Sequence, residues 1–339
     1  MKAHMTPYRR VTETEKYFLH SYQSNTLRGA VEKAAREEID AAMFDEHYGI
    51  PIDVERIAKR KCIRIADVGE LTCHEARLFP ERNGFVVQLK AQSNSLRKRT
   101  TLAHEVGHTL FYRDYGDKPR HQVGILDIGE MLAEEKICNW FARALLMPAK
   151  RLRDVVLPLA PRRPFSFLEL LDQAAKQFEV SLPALILRLS DIGPALPPYL
   201  IVSWRFYDNR RTGFDPQLRV DSCTGLGAAR NMYVWRNRSA EGVNLRSAVS
   251  LFDAWKSLSA SSDRGGRYAL DPSLGLVQVK NGFDSSVDED VRVSFFQNGH
   301  WKEDSIQMKV SHCLYAKRNA DERDATIVSI LTPNRFAHP

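Results

Sequence analysis

Cysteine is scarce and unpatterned in this sequence. Five thiols, Cys62, Cys73, Cys138, Cys223 and Cys313, are spread over 339 residues. Their number is odd, their spacings are wide and no C-x-x-C pair occurs, which speaks against a thiolate zinc cluster and a disulfide framework. Reduced thiols in a cytoplasmic protein are the expectation. Long apolar runs are also missing. No stretch reaches the roughly 18 apolar residues that a membrane span needs. The opening MKAHMTPYRRVTETEKYF interrupts every apolar run with charge, so it does not read as a secretory signal. Neither sign of charge dominates, since 49 Lys and Arg against 42 Asp and Glu leave a net +7. That mild excess permits an acidic partner or nucleic acid without demanding either. No internal repeat and no low-complexity tract is present.

What is there reads as an ordinary globular chain of α+β class, 43% hydrophobic and 27% charged, long enough for two domains with a smaller module between them. Residues 1–25 are polar and irregular, a flexible leader. Helical spacing of Ala30, Val31, Ala34, Ile39 and Ala42 predicts a helix over 27–47, and a short helix follows over 51–60. CIRIADV (62–68) and GFVVQLK (84–90) alternate as strands. Two long helices are expected over 95–112 and 127–147, the second stopped by Pro148. Residues 26–156 thus form one unit. The segment 157–197 is a Pro-rich linker and a helix pair, with Ser166 and Glu169 at capping-box spacing and Ser181 capping the second helix. Residues 198–339 change texture to strands, YLIVSWRF, LVQVK, VRVSFF and ATIVSIL, with one helix near 244–258, giving a C-terminal α+β domain.

The stretch that carries chemistry is RTTLAHEVGHTLFY (99–112), with His104-Glu105-Val106-Gly107-His108 as an H-E-x-x-H match. Residues four apart on a helix share a face, about 6 Å apart along the axis. Two imidazoles so placed can bind one Zn²⁺, and Glu105 is placed to act as general base and then general acid in peptide hydrolysis. Leu102, Ala103, Val106, Leu110 and Phe111 surround the pair, so the histidines are partly desolvated and need partners. Gly107 weakens a helix by about 1 kcal/mol, which makes sense where another backbone packs close.

A catalytic zinc needs a third protein ligand and an open position. The following helix, GEMLAEEKICNWFARALLMP (129–148), offers Glu130, Glu134 and Glu135. Asn139 is a polar residue in the apolar run Ile137-Cys138-Asn139-Trp140-Phe141-Ala142 and lies four residues from Glu135. This favours Glu135 as ligand with Asn139 orienting a ligand histidine. The alternative is that Glu134 and Glu135 are an ordinary charged helix start and that Asn139 bonds only backbone. Tyr112, one further turn along the face of His104 and His108, and His121 in the connecting loop are candidate oxyanion stabilisers. Tyr115 and His74 read as structural or surface residues.

TLAHEVGHTLF followed by EKICNWFARALLMP resembles the ImmA/IrrE family of metallopeptidases. There H-E-x-x-H precedes a helix of the form E-x-x-A/C-N-x-F-A-x-x-L-L-M-P. The resemblance implies a zincin-like peptidase domain that holds Zn²⁺, or alternatively Mn²⁺, through His104, His108 and Glu135. PIDVERIAKRKCIRI is similar to the family's opening helix and strand. The resemblance is strong over 50–150 and weaker over 160–195; beyond 198 it is to the longer, IrrE-like members, which carry a helix-turn-helix-like segment and a GAF-like C-terminal domain. It implies that the substrate is a helix-turn-helix repressor whose cleavage switches on stress, phage or mobile-element genes.

Two other classes of function are open. One is a DNA-binding regulator with a structural or sensory metal, using AAKQFEVSLPALILRL (174–189) in the major groove. Its second helix offers Arg188 as the lone cation among leucines, which favours packing over DNA contact. The other is a toxin–antitoxin or phage-defence component that acts by binding its partner. An intact Glu105 separates a peptidase from both, since a purely structural metal needs no base.

Overall fold

The computed structural model describes residues 11–42, 49–69, 71, 76–91, 95–112, 128–156, 164–192, 199–207, 217–226, 232–233, 269–271, 276–279, 287–297, 300–317 and 326–333. The end of the expected leader is ordered structure. α1 (Glu13–Ser21) starts from a capping box, in which the Thr12 hydroxyl accepts from the Glu15 amide at 3.1 Å and the Glu15 carboxylate accepts from the Thr12 amide at 3.2 Å. Phe18 is fully buried and stacks on Phe111 with ring centroids 5.6 Å apart. The Glu130 carboxylate also accepts from the amides of Glu13 and Thr14, at 2.9 and 2.8 Å. A cap, an apolar anchor and an acidic group at the helix's positive end fold residues that composition alone makes look loose.

α2 (Leu27–Ala42) buries Ala30, Val31, Ala34, Ala35 and Ile39, the face its spacing predicts. α3 (Val54–Arg60) is capped by Asp53, whose side chain accepts from the Arg56 amide at 2.9 Å. Three strands follow, β1 (Ile63–Val68), β2 (Ala76–Glu81) and β3 (Gly84–Lys90). β3 lies between the others, parallel to β1 and antiparallel to β2. β2 was not expected: it is an edge strand that contains Pro80 and alternates between half-buried and exposed residues. Gly84 has φ +149°, and a Cβ there would stand 2.1 Å from the Cys62 carbonyl oxygen, which instead accepts from the Phe85 amide at 3.0 Å.

The helix expected over 95–112 is shorter. α4 (Ser95–His108) gives way to a 3-10 turn over Thr109–Phe111. α5 (Ile128–Leu146) and α6 (Ala149–Val156) flank the break at Pro148. α7 (Pro164–Phe178) starts with proline in its first turn, so Ser166 falls inside the helix and not at its N-cap position. α8 (Leu182–Asp191) is capped by Ser181 as expected, its hydroxyl accepting from the Ala184 amide at 3.3 Å.

The chain divides into two compact units, Met1–Pro158 with Leu171–Asp191, and Leu159–Leu170 with Ile192–Pro339. α8 and most of α7 therefore cluster with the first unit, not in a separate module over 157–197. Leu185, Ile186 and Leu189 are buried there, and Arg188 is 1% exposed. The Arg188 guanidinium donates from Nε to the Met147 carbonyl at 2.9 Å and makes a two-pronged pair with Glu32. The lone cation of α8 is thus spent inside the protein and does not face a phosphate.

The second unit, from Leu200 on, is described as strands: β4 (Leu200–Tyr207), β5 (Gln217–Gly225), β6 (Met232–Tyr233), β7 (Ala269–Asp271), β8 (Leu276–Val279), β9 (Val287–Gln297), β10 (His300–Lys317) and β11 (Thr326–Pro333). They form one antiparallel sheet with the path β5-β4-β11-β10-β8-β7, to which β9 and β6 add through β10. β10 is long enough to pair with β9 along its first half and with β8 and β11 along its second. The four expected strands fall on β4, β8, β9 and β11. The helix expected near 244–258 lies outside the described residues. Among the described residues, no helix is long and apolar enough to cross a membrane.

Candidate metal centre

α4 and α5 cross at Gly107. A Cβ at that position would stand 3.1 Å from Phe141 Cδ1 and 3.2 Å from Cys138 Cα. The glycine therefore serves the close approach its cost suggested, and that approach brings the H-E-x-x-H face of α4 onto the first turns of α5. His104 Nε2 and His108 Nε2 face each other at 3.1 Å. Glu135 closes the triangle, with Oε2 3.2 Å from His104 Nε2 and Oε1 3.4 Å from His108 Nε2. All three ligand atoms lie within 4.8 Å of one another.

These separations suit a zinc-sized ion. Tetrahedral ligands at bond lengths of about 2.0–2.1 Å stand roughly 3.3 Å apart. Two imidazole nitrogens and one carboxylate are also the donor set of a catalytic rather than a closed structural site. The electrostatics agree. Burial works against a charged His108, but Cys138, Glu134 and Glu135 outweigh it and its pKa stands well above the ordinary histidine value. Hydrogen bonds from His104 and His108 hold Glu135 well below the usual carboxylate range. A cluster that draws in a proton this way is one that favours a cation.

Glu134 does what the sequence reading gave to Asn139. His108 donates from Nδ1 to Glu134 Oε1 at 2.8 Å, and Glu134 is 3% exposed. This bond fixes the ring so that Nε2 points into the site. Asn139 is exposed and donates to the Glu135 carbonyl at 2.8 Å; among the described residues it bonds neither histidine. The physical reason is helical phase. Glu134 is in register with the buried Ile137, Cys138 and Phe141, whereas Asn139 shares the outer face with Glu135 and the exposed Leu132 and Ile128. A carboxylate in phase with the core stripe was the signal that could have found Glu134.

Glu105 is buried at 8% exposure on the same helix as the two histidines. Tyr112 follows the 3-10 turn, so it does not simply continue the face of His104 and His108. It is buried, packs edge-on against Phe85 at 4.7 Å, and its hydroxyl has no hydrogen-bond partner among the described residues. Burial pushes that hydroxyl's pKa up to about 12 and the buried Cys138 thiol up to about 11, so both are neutral at physiological pH. Cys138 is therefore more than a small packing residue, since its thiol lies against His108. His121, Tyr115 and His74 lie outside the described residues.

Comparison with known proteins bears on the same region. The family model Peptidase_M78, IrrE N-terminal-like domain, matches residues 71–190. No curated protein matches the chain in sequence. Among solved structures, a Mycobacterium tuberculosis transcriptional regulator is similar over 95% of this chain and 81% of its own, at 12% identity and a TM-score of 0.44. Both helices of the motif lie inside the matched segment, so residues 71–190 are an IrrE N-terminal-like domain of the Peptidase_M78 type.

Proposed function

We propose that the protein is a zinc-dependent endopeptidase, with Mn²⁺ as the alternative ion. The observation that carries the reading is the convergence of His104 Nε2, His108 Nε2 and the Glu135 carboxylate at 3.1–3.4 Å. When bound, such an ion supplies Lewis-acid polarisation of a peptide carbonyl and acidifies water. His104 and His108 present neutral nitrogens to it, and Glu135 presents charge. Glu134 keeps His108 in the tautomer that leaves Nε2 unprotonated, by taking the Nδ1–H bond. Glu105 accepts the proton of the attacking water and passes it to the departing amine. Tyr112 takes the oxyanion role in this reading only if its side chain turns outward, because its neutral hydroxyl is buried in this structure.

The substrate in this reading is a helix-turn-helix repressor, and its cleavage releases stress, phage or mobile-element genes. The family of the domain at 71–190 supports this assignment. The C-terminal sheet, with a GAF-like architecture, acts as a regulatory or sensory unit. Cysteines Cys62, Cys138 and Cys223 are unbridged, which suits a cytoplasmic enzyme. The burial of Arg188 speaks against α8 as a DNA-reading helix. The test is to incubate the full chain, loaded with Zn²⁺ or Mn²⁺, with helix-turn-helix repressors from the same organism, first any whose gene adjoins its own. Wild type should cleave at least one. Glu105→Gln should bind the ion as tightly and lose about 10²–10⁴ in rate. Cleavage by the variant at the wild-type rate would remove the role of Glu105; a loaded wild type inert toward every repressor tried would remove the peptidase reading.

A further inference from the structure

Three acids stand near the start of α5, and the candidate metal centre accounts for Glu134 and Glu135. Glu130 is not grouped with the ligands. Its carboxylate reaches α1 instead, where Oε1 accepts from the Glu13 amide at 2.9 Å and Oε2 from the Thr14 amide at 2.8 Å. The Thr12 hydroxyl accepts from the third amide, that of Glu15, at 3.1 Å. The amides at the positive end of α1 are thus shared between the helix's own cap and a carboxylate of α5. Lys136, just past the ligand pair, lies 3.9 Å from the Glu15 carboxylate and 4.4 Å from the centroid of the Trp140 ring. Further along α1, Phe18 is fully buried against Phe111, three residues after His108. α1 therefore touches both segments that carry the ligands.

The turns of α5 that precede the ligand pair show their apolar side chains to solvent. Ile128, Met131 and Leu132 are 73, 47 and 64% exposed, so their burial does not fasten these turns. The crossing at Gly107 fixes α5 farther on, at Cys138 and Phe141. Between the two, the half-exposed Glu135 carboxylate stands 3.2–3.4 Å from two imidazoles. We propose that Glu130 is a positioning residue. By docking on α1 it holds the first turns of α5 where Glu135 meets the metal, so that α1 docking and metal binding are coupled. α1 is then a strap, and its release lowers the protein's hold on the ion. The coupling is reciprocal, so a bound ion holds α1 in place to the same degree. The proposal rests on the metal reading of His104, His108 and Glu135 and adds no ligand to it.

The test uses the full chain, stripped of metal and titrated with Zn²⁺ against a chromophoric chelator. Glu130→Ala should weaken zinc binding about fivefold, the scale of one lost helix cap. Glu130→Gln keeps one acceptor oxygen and the side-chain volume, so its loss should be smaller, and it serves where the alanine variant folds poorly. Thr12→Ala frays α1 without altering α5 and should weaken zinc in the same direction. Hydrogen exchange over Glu13–Ser21 supplies the readout that a merely stabilising contact would not move. In wild type, zinc should slow that exchange several-fold; in Glu130→Ala the dependence on zinc should vanish. Unchanged zinc affinity in both Glu130 variants, whatever their melting temperatures, would overturn the proposal. Exchange over α1 that ignores zinc in the wild type, or responds to it equally in Glu130→Ala, would overturn it too. Those results leave the metal reading standing, whereas a wild-type chain that takes up no zinc would refute that reading and the proposal with it.

Discussion

Replacing Glu134 by alanine tests whether His108 is held in place from behind. The carboxylate is 3% exposed and accepts the Nδ1 proton at 2.8 Å. Removing it leaves a buried N–H without its acceptor, a cost of about 1–3 kcal/mol. At 1.4 kcal/mol per tenfold, this corresponds to roughly 5–150-fold in metal affinity if the ring must keep its orientation to bind. Second-sphere partners of zinc-bound histidines have effects of about 10–100-fold, so the two estimates agree. A second effect runs the other way. Glu134 helps to raise the pKa of His108, so its loss lets the metal compete better against the proton. Below that raised pKa, wild type loses about tenfold in affinity per pH unit, one proton being displaced. The deficit of Glu134→Ala should therefore be largest at alkaline pH and shrink on acidification. Competition titration against a chromophoric chelator across neutral pH reads both effects. Asn139→Ala is the control, because Asn139 touches only a backbone carbonyl on the outer face, and it should leave affinity unchanged. A Glu134→Ala protein with wild-type affinity throughout, or an Asn139→Ala protein with the larger loss, would refute the assignment.

Three further outcomes are expected. Gly107→Ala gains about 1 kcal/mol of helix propensity and pushes a methyl to 3.1–3.2 Å from α5, an overpacking cost of about 1–3 kcal/mol; denaturant unfolding should show a net loss, with weaker metal binding as α5 shifts. Arg188→Ala breaks a buried pair, for which about 3–5 kcal/mol is typical, and the one-third-exposed Glu32 places the loss at the low end; an unchanged urea midpoint would show that α8 is not fastened to the first unit through this residue. After the metal is stripped by chelator, His108 contributes stability fully below its unfolded value of about 6.5, and this is lost as pH rises through its higher folded value. The depressed Glu135 contributes stability above about 4.5 and loses it as pH falls. The melting temperature of the stripped protein should thus decline on the alkaline side, a decline that added Zn²⁺ abolishes.

The first unit was largely legible because its helices advertise one face. α2 and α5 fall where apolar spacing places them, and Pro148 ends α5 as proline must. What escaped were elements whose stability is not periodic. α1 rests on a capping box, one phenylalanine and a carboxylate from a residue 117 positions away, and no local window contains all three. β2 is an edge strand with a proline, and β10 begins with a charged, exposed stretch over 302–305 that local hydrophobicity does not mark as strand. Both form because a neighbouring strand supplies the partner groups, which is non-local information.

The site shows the same division at finer scale. Motif spacing was sufficient for His104, Glu105 and His108, because four residues on a helix dictate a shared face whatever surrounds it. Glu135 converges with them, but Asn139 plays no part in placing its carboxylate and bonds only its backbone carbonyl. By composition residues 137–142 are apolar apart from Asn139, and an amide in such a run is expected to be buried. The helix is instead two-sided: Ile137, Cys138 and Phe141 turn inward, and Glu135 and Asn139 turn outward with Leu132 and Ile128. Phase along α5 separates a carboxylate at the mouth of the site from one beneath it, and adjacent residues about 100° apart on a helix are what allow Glu135 to face a cation while Glu134 grips the back of His108. Two consecutive glutamates on a helix that crosses H-E-x-x-H at a glycine therefore carry two different tasks, and the one that the core encloses is the one whose loss the histidine will feel first.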